Sequence, residues 1–388
     1  MKTVAFYLPQ FHAIRENDEW WGKGFTEWTN VARARPQYEG HNHPRVSTLL
    51  GEYDLTDSSI YKQQTELARD SGVDAFCMYF YWFGGHRLLE RPVEAWRENT
   101  ELLPYCLSWA NESWSRRWDG KDREVLMRQE YASGFAEELF ADLLPHLRAP
   151  HYLQVDGRPV FVVHRIDLVP QAREFADRLR RLACEAGLRG IYLIAAETKP
   201  GIRPSVFGCD AVAEFPPVGQ NTLGSAYLRP LARVRRDFRG RLMSYNRLAR
   251  RFERRKSVDF VRHPGVAPAW DNTARRQSHA TIYAGASPER YGNWLRHARQ
   301  REAAARGENG LVFVNAWNEW AEGAYLEPDE RSGTAYLDVT AGRALSASSA
   351  TPIHGLFWTY PQMRSLALAT AGSVLAVVRR VRARLGFL

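Results

Sequence analysis

Gly310-Leu-Val-Phe-Val-Asn-Ala-Trp-Asn-Glu-Trp-Ala-Glu-Gly-Ala-Tyr-Leu-Glu-Pro-Asp329 opens as an apolar run and passes without a break into asparagine, tryptophan and glutamate. The apolar half reads as a buried strand. Polar and acidic groups packed so tightly behind it are costly in a core unless each is paired. They make sense where a strand emerges into an accessible pocket. If the strand continues, Asn315, Trp317 and Glu319 share one face at period two. Glu322 then points the other way, so the backbone must turn at Trp320-Ala321 for the two acids to converge. In a helical turn, side chains three apart lie roughly 5–6 Å from one another. That is about the separation at which two carboxyl groups divide proton transfer across one glycosidic bond. Glu319 and Glu322 are the candidate catalytic pair, with Trp317 and Trp320 as apolar walls and Asn318 as a substrate contact.

Working outward, seven other apolar runs read as strands, at 4–8, 75–82, 105–109, 159–164, 191–196, 210–215 and 266–270, and 311–316 is the eighth. Helical spacing falls between them at 57–71, 92–101, 135–147, 171–186 and 288–305. Nearly every strand ends in an aromatic and polar cluster. Alternation of this kind predicts a closed parallel (β/α)8 TIM barrel with its site at the C-terminal strand ends. An open doubly wound sheet would normally carry a glycine-rich phosphate loop after an early strand, and Phe83-Gly-Gly-His86 lacks its spacing. The expected layout is a barrel over 1–345, with a basic helical insertion at 228–256, and a C-terminal helical tail over 346–388.

The formal net charge of +9 is concentrated, with twelve basic residues against Asp237 and Glu253 between Leu228 and Lys256. Such a block suits anionic lipid, a polyphosphate-linked substrate or a solvated insertion. Nucleic acid is not expected, because nothing outside the segment supports it. The apolar run 366–378, followed by Arg379, Arg380, Arg382 and Arg384, is either a helix docked on the barrel or an interfacial helix. Peripheral membrane contact would then run through 228–256 and 364–388. Four scattered cysteines form no CxxC pair and suit a reducing compartment. The N-terminus is too short and polar for a signal sequence, so a cytoplasmic place is expected, peripheral at the inner membrane surface where these segments meet lipid.

Thirteen tryptophans among 12% aromatics offer flat apolar faces with a polar edge, the surface a sugar ring needs. Tyr7, His12, Trp28, Tyr79, Tyr81, Trp82, Trp109 and Trp270 are candidates for the subsite wall. Asn111 and Glu112, after the third strand, are candidate hydroxyl contacts. Asp271 and Asn272, after the seventh, are others, with Arg275 expected to pair with Asp271. His41 and His43 stand too isolated for zinc, which needs three or four ligands, so a reaction without metal or cofactor is expected.

Tyr7-Leu-Pro-Gln-Phe-His12, Trp21-Gly-Lys-Gly-Phe-Thr-Glu-Trp-Thr-Asn-Val31, Phe76-Cys-Met-Tyr-Phe-Tyr-Trp-Phe83, Trp109-Ala-Asn-Glu112, Trp270-Asp-Asn-Thr273 and 315–323 together resemble the WbsX-like family. Those proteins are described as glycoside hydrolase family 99-like and are often found with lipopolysaccharide O-antigen genes. The motifs recur in order across 3–337. The resemblance implies a barrel acting on an oligosaccharide or a lipid-linked glycan. It also implies retention through two glutamates of an Asn-Glu-Trp-x-Glu-Gly motif. Glu319 would act as base on the substrate's own 2-hydroxyl, giving a 1,2-anhydro sugar, and Glu322 would protonate the leaving oxygen and then activate water. Ala321 stands where the related mannosidases commonly carry histidine. Family members are also labelled glycosyltransferases, so transfer in O-antigen synthesis is one alternative and glycan binding without catalysis another.

Overall fold

Gly265 closes the barrel. A Cβ at this position would lie 2.0 Å from the carbonyl oxygen of Glu214, so only glycine lets the seventh strand approach the sixth so closely. The computed structural model describes residues 1–116, 121–345 and 352–384.

The barrel strands are β1 (Lys2–Tyr7), β2 (Ala75–Phe83), β3 (Tyr105–Trp109), β4 (Arg158–Val163), β5 (Tyr192–Glu197) and β6 (Ala211–Glu214). They are completed by a divided β7 (Arg262–His263 and Gly265–Val266) and by β8 (Leu311–Val314). Neighbours run parallel in chain order, and β8 returns to β1 with Lys2 opposite Leu311. The two halves of β7 face different partners, Val212 opposite Arg262 on one side and Val266 opposite Val314 on the other. Pro264 between them interrupts the ladder, as a residue without N–H must. The expected seventh strand at 266–270 therefore begins four residues earlier, because the apolar cue at 266–268 marks its end and not its start.

Helices follow the strands: α1 (Ser58–Asp70), α2 (Glu90–Glu98), α3 (Phe135–Leu147), α4 (Ala172–Glu185), α5 (Pro204–Phe207), α6 (Tyr245–Glu253), α7 (Pro288–Arg306) and α8 (Ala335–Thr340). The α1 N-cap is Asp57, whose carboxylate accepts the Ser59 N–H at 2.8 Å. Every residue of β2 is buried, since one face fills the barrel and the other is covered by helices. Inside, Phe6 meets Phe215 edge-on at 4.9 Å and Phe313 at 5.6 Å. Each such ring contributes about 1.5–3 kcal/mol by burial.

The basic segment is helical over α6 only. Before it, Arg241–Ser244 forms a short strand parallel to Thr281–Ala284. Several of its arginines are paired, Arg255 with Glu197 at 2.5 and 2.7 Å among them. The tail helix α9 (Tyr360–Arg384) lies along this segment, where Ser365 Oγ accepts the Leu242 N–H at 2.7 Å. No helix among the described residues is long and apolar enough to cross a membrane.

Candidate active site

The turn that the two acids require is present. Asn318–Glu319 pairs antiparallel with Ala324–Tyr325, and a single 3-10 turn at Trp320–Glu322 joins them. Gly323 completes the reversal at φ 59°, a left-handed conformation that glycine adopts without steric cost. Glu319 and Glu322 consequently line one cavity of about 280 Å³ at the C-terminal mouth of the barrel.

One cation lies across the pair. Arg275 Nη2 donates to Glu319 Oε2 at 3.1 Å, Nη1 donates to Glu322 Oε1, and Nε donates to Glu27 Oε2 at 3.2 Å. Three carboxyl groups around one guanidinium leave an excess of negative charge, and burial compounds it. Burial and the neighbouring Glu322 push the Glu319 carboxyl up to about 8, against the pull of Arg275. Burial also raises Glu322, which Arg275 holds down in turn. Both carboxyls are thus held above their ordinary range, and near neutral pH the pair shares a proton.

Arg275 is itself held from behind. It sits on the one-turn helix Thr273–Arg276, whose first N–H and Thr273 Oγ1 both donate to Asp271 Oδ1, at 3.0 and 2.5 Å. The Asp271 backbone N–H donates to the Glu322 carbonyl at 2.7 Å. Asp271 Oδ2 accepts from His41 at 2.8 Å, His43 at 2.5 Å and Arg45 at 3.0 Å. The expected Asp271–Arg275 pair is therefore not formed, because five other donors occupy Asp271 and three carboxylates claim Arg275.

His41 and His43 are likewise not isolated, since with Asp271 they bring three ligand atoms within 4.8 Å of one another. The donor set does not fit a metal. His41 Nδ1 accepts the Gln37 N–H at 3.1 Å, which puts the ring proton on Nε2, the atom facing Asp271. A guanidinium on the same carboxylate oxygen opposes a cation further.

Of the proposed wall, Tyr79, Tyr81, Glu112 and Trp270 line the cavity with the two acids. Glu112 is held by Arg165 at 2.6 Å. Several other candidates point away from it. Strand alternation turns Trp82 outward, where its indole donates to Asp142 at 2.7 Å. Tyr7 donates to Gln64 at 2.8 Å, and Trp109 donates to the Trp82 carbonyl at 3.0 Å. Trp28 donates to the Tyr53 carbonyl at 2.8 Å, and His12 is buried. Asn111 bridges to the Arg165 backbone at 2.7 and 2.9 Å, and Asn318 clamps the Leu8 backbone at 2.8 and 3.0 Å. Asn272 accepts the Thr281 N–H at 2.8 Å. Asp271 faces a second cavity of about 260 Å³, which Trp270 also lines. Trp317 and Trp320 are buried and do not line the cavity. The strand ends at Val314, so the period-two projection from Asn315 to Glu319 does not apply.

Sequence reasoning did not select Trp21, Trp114, His164 or Phe215, which complete the cavity wall. Nor did it select Glu27, fully buried against Arg275. Trp114, His164 and Phe215 lie at or just after expected strand ends, and Trp21 and Glu27 lie in the motif 21–31. A signal existed for the stretches, but none for which of their side chains faces inward.

A model of the family described as "Glycosyltransferase WbsX" matches residues 3–340. The chain is similar to "Uncharacterized protein WxcX" from two strains of Xanthomonas campestris pv. campestris, at 46% identity over 339 residues, 87% of this chain. It spans about half the length of those relatives, 48%. Among solved structures, a "Glycoside hydrolase-like protein" superposes with a TM-score of 0.54 at 13% identity, covering 89% of this chain and 94% of that one. The GH99 endo-alpha-mannosidase from Bacteroides thetaiotaomicron, in complex with bis-tris-propane, superposes at 0.52 with 12% identity, covering 99% and 98%. At such identities the likeness is one of fold, and it is the expected barrel.

Proposed function

The chain belongs to the glycosyltransferase WbsX family, and from that premise we propose that it cleaves or transfers an α-linked, mannoside-like glycosyl unit with retention. The observation that carries this reading is the convergence of Glu319 and Glu322 on one cavity walled by Trp21, Tyr79, Tyr81, Trp114 and Trp270. Aromatic faces take the apolar faces of sugar rings. Two acids held around one proton can divide acid and base work.

In the first step ionised Glu319 takes the proton of the substrate 2-hydroxyl as that oxygen bonds to the anomeric carbon. Glu322 gives its proton to the departing glycosidic oxygen. In the second, Glu322 takes a proton from water, whose oxygen opens the 1,2-anhydro ring, and Glu319 returns its proton to O2. These roles need the proton on Glu322. Arg275 touches Glu319, Glu322 and Glu27 together, and a closer hold on Glu319 and Glu27 than on Glu322 favours the proton there.

The family's description favours a second acceptor for the same chemistry, a sugar hydroxyl in place of water. Incubation with a panel of bacterial O-antigen oligosaccharides, with products read by mass spectrometry, tests both. Hydrolysis releases shortened glycans, while transfer gives donor-dependent elongation without free sugar. Glu322→Gln is expected to lose at least about a hundredfold in either case, the scale of general acid catalysis. Equal rates in Glu322→Gln and the parent chain would remove Glu322 from this role, and no product from any of the glycans would leave only glycan binding.

A further inference from the structure

Two segments set apart in the sequence form one surface. Residues 352–363 cross the basic segment and are tied to it by backbone bonds, Ala232 N–H to the Ile353 carbonyl at 2.9 Å and Gly355 N–H to the Pro230 carbonyl at 3.1 Å. Gln362 Nε2 donates to the Arg229 carbonyl at 3.2 Å, and Arg364 donates to that of Arg239. Gly355 is pressed so close that a Cβ would lie 2.9 Å from the Leu231 oxygen.

The outer side of this seam is apolar and cationic at once. Leu356 is 89% exposed and Phe357 80%, with Tyr360 and Met363 exposed after them. Arg229, Arg233, Arg236 and Arg239 are exposed alongside. The acid nearest Arg233 is Glu39 at 3.7 Å, and Asp237 is taken by Arg235 at 2.9 Å. A run of large apolar side chains held outward is uncommon on a soluble domain unless something covers it. Arginines interleaved with it indicate what that is, since apolar groups insert among acyl chains while guanidinium groups stay at the headgroups.

We propose that this seam seats the protein on an anionic lipid bilayer. It borders the second cavity. Ile353 packs against Gly40, and Pro352 lines the second cavity, which shares Trp270 with the cavity of the two acids. Beyond Ser373, whose hydroxyl accepts the Leu223 N–H at 2.8 Å, α9 carries exposed Val374, Leu375, Val377 and Val378. The proposal rests on the glycan-active reading only for its purpose, to place a lipid-linked glycan within reach of Glu319 and Glu322.

Flotation of the full chain with phosphatidylcholine vesicles, with and without phosphatidylglycerol, tests it in the absence of any glycan. Binding at least about tenfold tighter to the anionic vesicles is expected, falling as salt is raised. Leu356→Glu with Phe357→Glu should abolish it while the thermal melt and turnover of soluble oligosaccharide stay unchanged. Arg236→Glu with Arg239→Glu should remove the preference for anionic lipid. Equal binding to both vesicle types overturns the proposal, as does unaltered binding by the Leu356 and Phe357 variant. Self-association in sedimentation equilibrium that Phe357→Glu abolishes, without vesicle binding, overturns it in favour of a second copy. An inactive chain that floats, or an active one that does not, separates this proposal from the functional one.

Discussion

The indole N–H of Trp320 donates to Glu327 Oε2 at 2.6 Å while that of Trp317 donates to Oε1 at 3.0 Å, so one buried carboxyl fastens both tryptophans flanking Asn318 and Glu319. Tyr53 and Gln64 donate to the same group at 3.0 and 2.7 Å. Burial raises Glu327 to about 7 even with these four donors. Its work is mechanical, because it pins the backbone on either side of Glu319 and sets where the turn begins. Glu327→Gln has one carbonyl oxygen for four donors and adds donors of its own. With each unsatisfied buried group costing about 1–3 kcal/mol, the variant should lose roughly 2 kcal/mol or more in urea denaturation near pH 8. An unchanged midpoint would contradict the pinning role.

Glu319 carries its raised proton affinity as a stability cost. Its folded value of about 8 lies above the ordinary 4.5. Below 4.5 both states hold the proton and the group contributes nothing. Between 4.5 and about 8 the unfolded chain releases it while the folded chain keeps it, so stability falls as pH rises and then levels off. Glu319→Gln removes this cost. The variant should match the parent in chemical denaturation near pH 4 and be the more stable of the two near pH 8, while losing activity. Equal stability at the higher pH would show that the carboxyl is not held protonated.

Arg275 is the sole cation in direct contact with Glu319 and Glu322 among the described residues. Removing it strands buried carboxyl groups, a change that typically costs about 3–5 kcal/mol. Arg275→Lys keeps the charge but loses the planar fork that reaches three partners. Its kcat should fall at least about tenfold, and the ionisation that switches on kcat/KM should move to higher pH, since each acid is then harder to ionise. A parental pH profile would mean that Arg275 does not set the proton distribution.

The barrel was legible because its signal is local. Apolar runs and their spacing mark β1 to β6 and β8 whatever the chain does elsewhere. The exception, β7, is only two residues on each side of Pro264, too short for periodicity to register. The acid pair was legible for the same reason, as three-residue spacing across a turn. Side-chain direction was not. Trp82 and Tyr81 are neighbours in a wholly buried strand, yet only Tyr81 faces the cavity. The Asp271 cluster joins residues 41–45 to 271, a contact between loops after β1 and β7 that no local pattern announces.

Gly323 couples that cluster to the acids. Its Cα faces Arg45 so closely that a Cβ would lie 1.7 Å from Nη1 and 2.5 Å from Cζ. Arg45 cannot simply move aside, because its side chain is 10% exposed and holds Asp271 at 3.0 Å, and Asp271 in turn anchors the helix of Arg275. Gly323→Ala must therefore pay twice, through a left-handed backbone at about 1 kcal/mol and through displacement of a buried, paired guanidinium. The combined loss should reach about 3 kcal/mol or more. A double-mutant cycle with Arg45→Ala isolates the second part. With the arginine gone, Gly323→Ala should cost about 1 kcal/mol and no more, so the two changes are strongly non-additive. Additive losses would mean that the guanidinium and Gly323 are not in contact in solution.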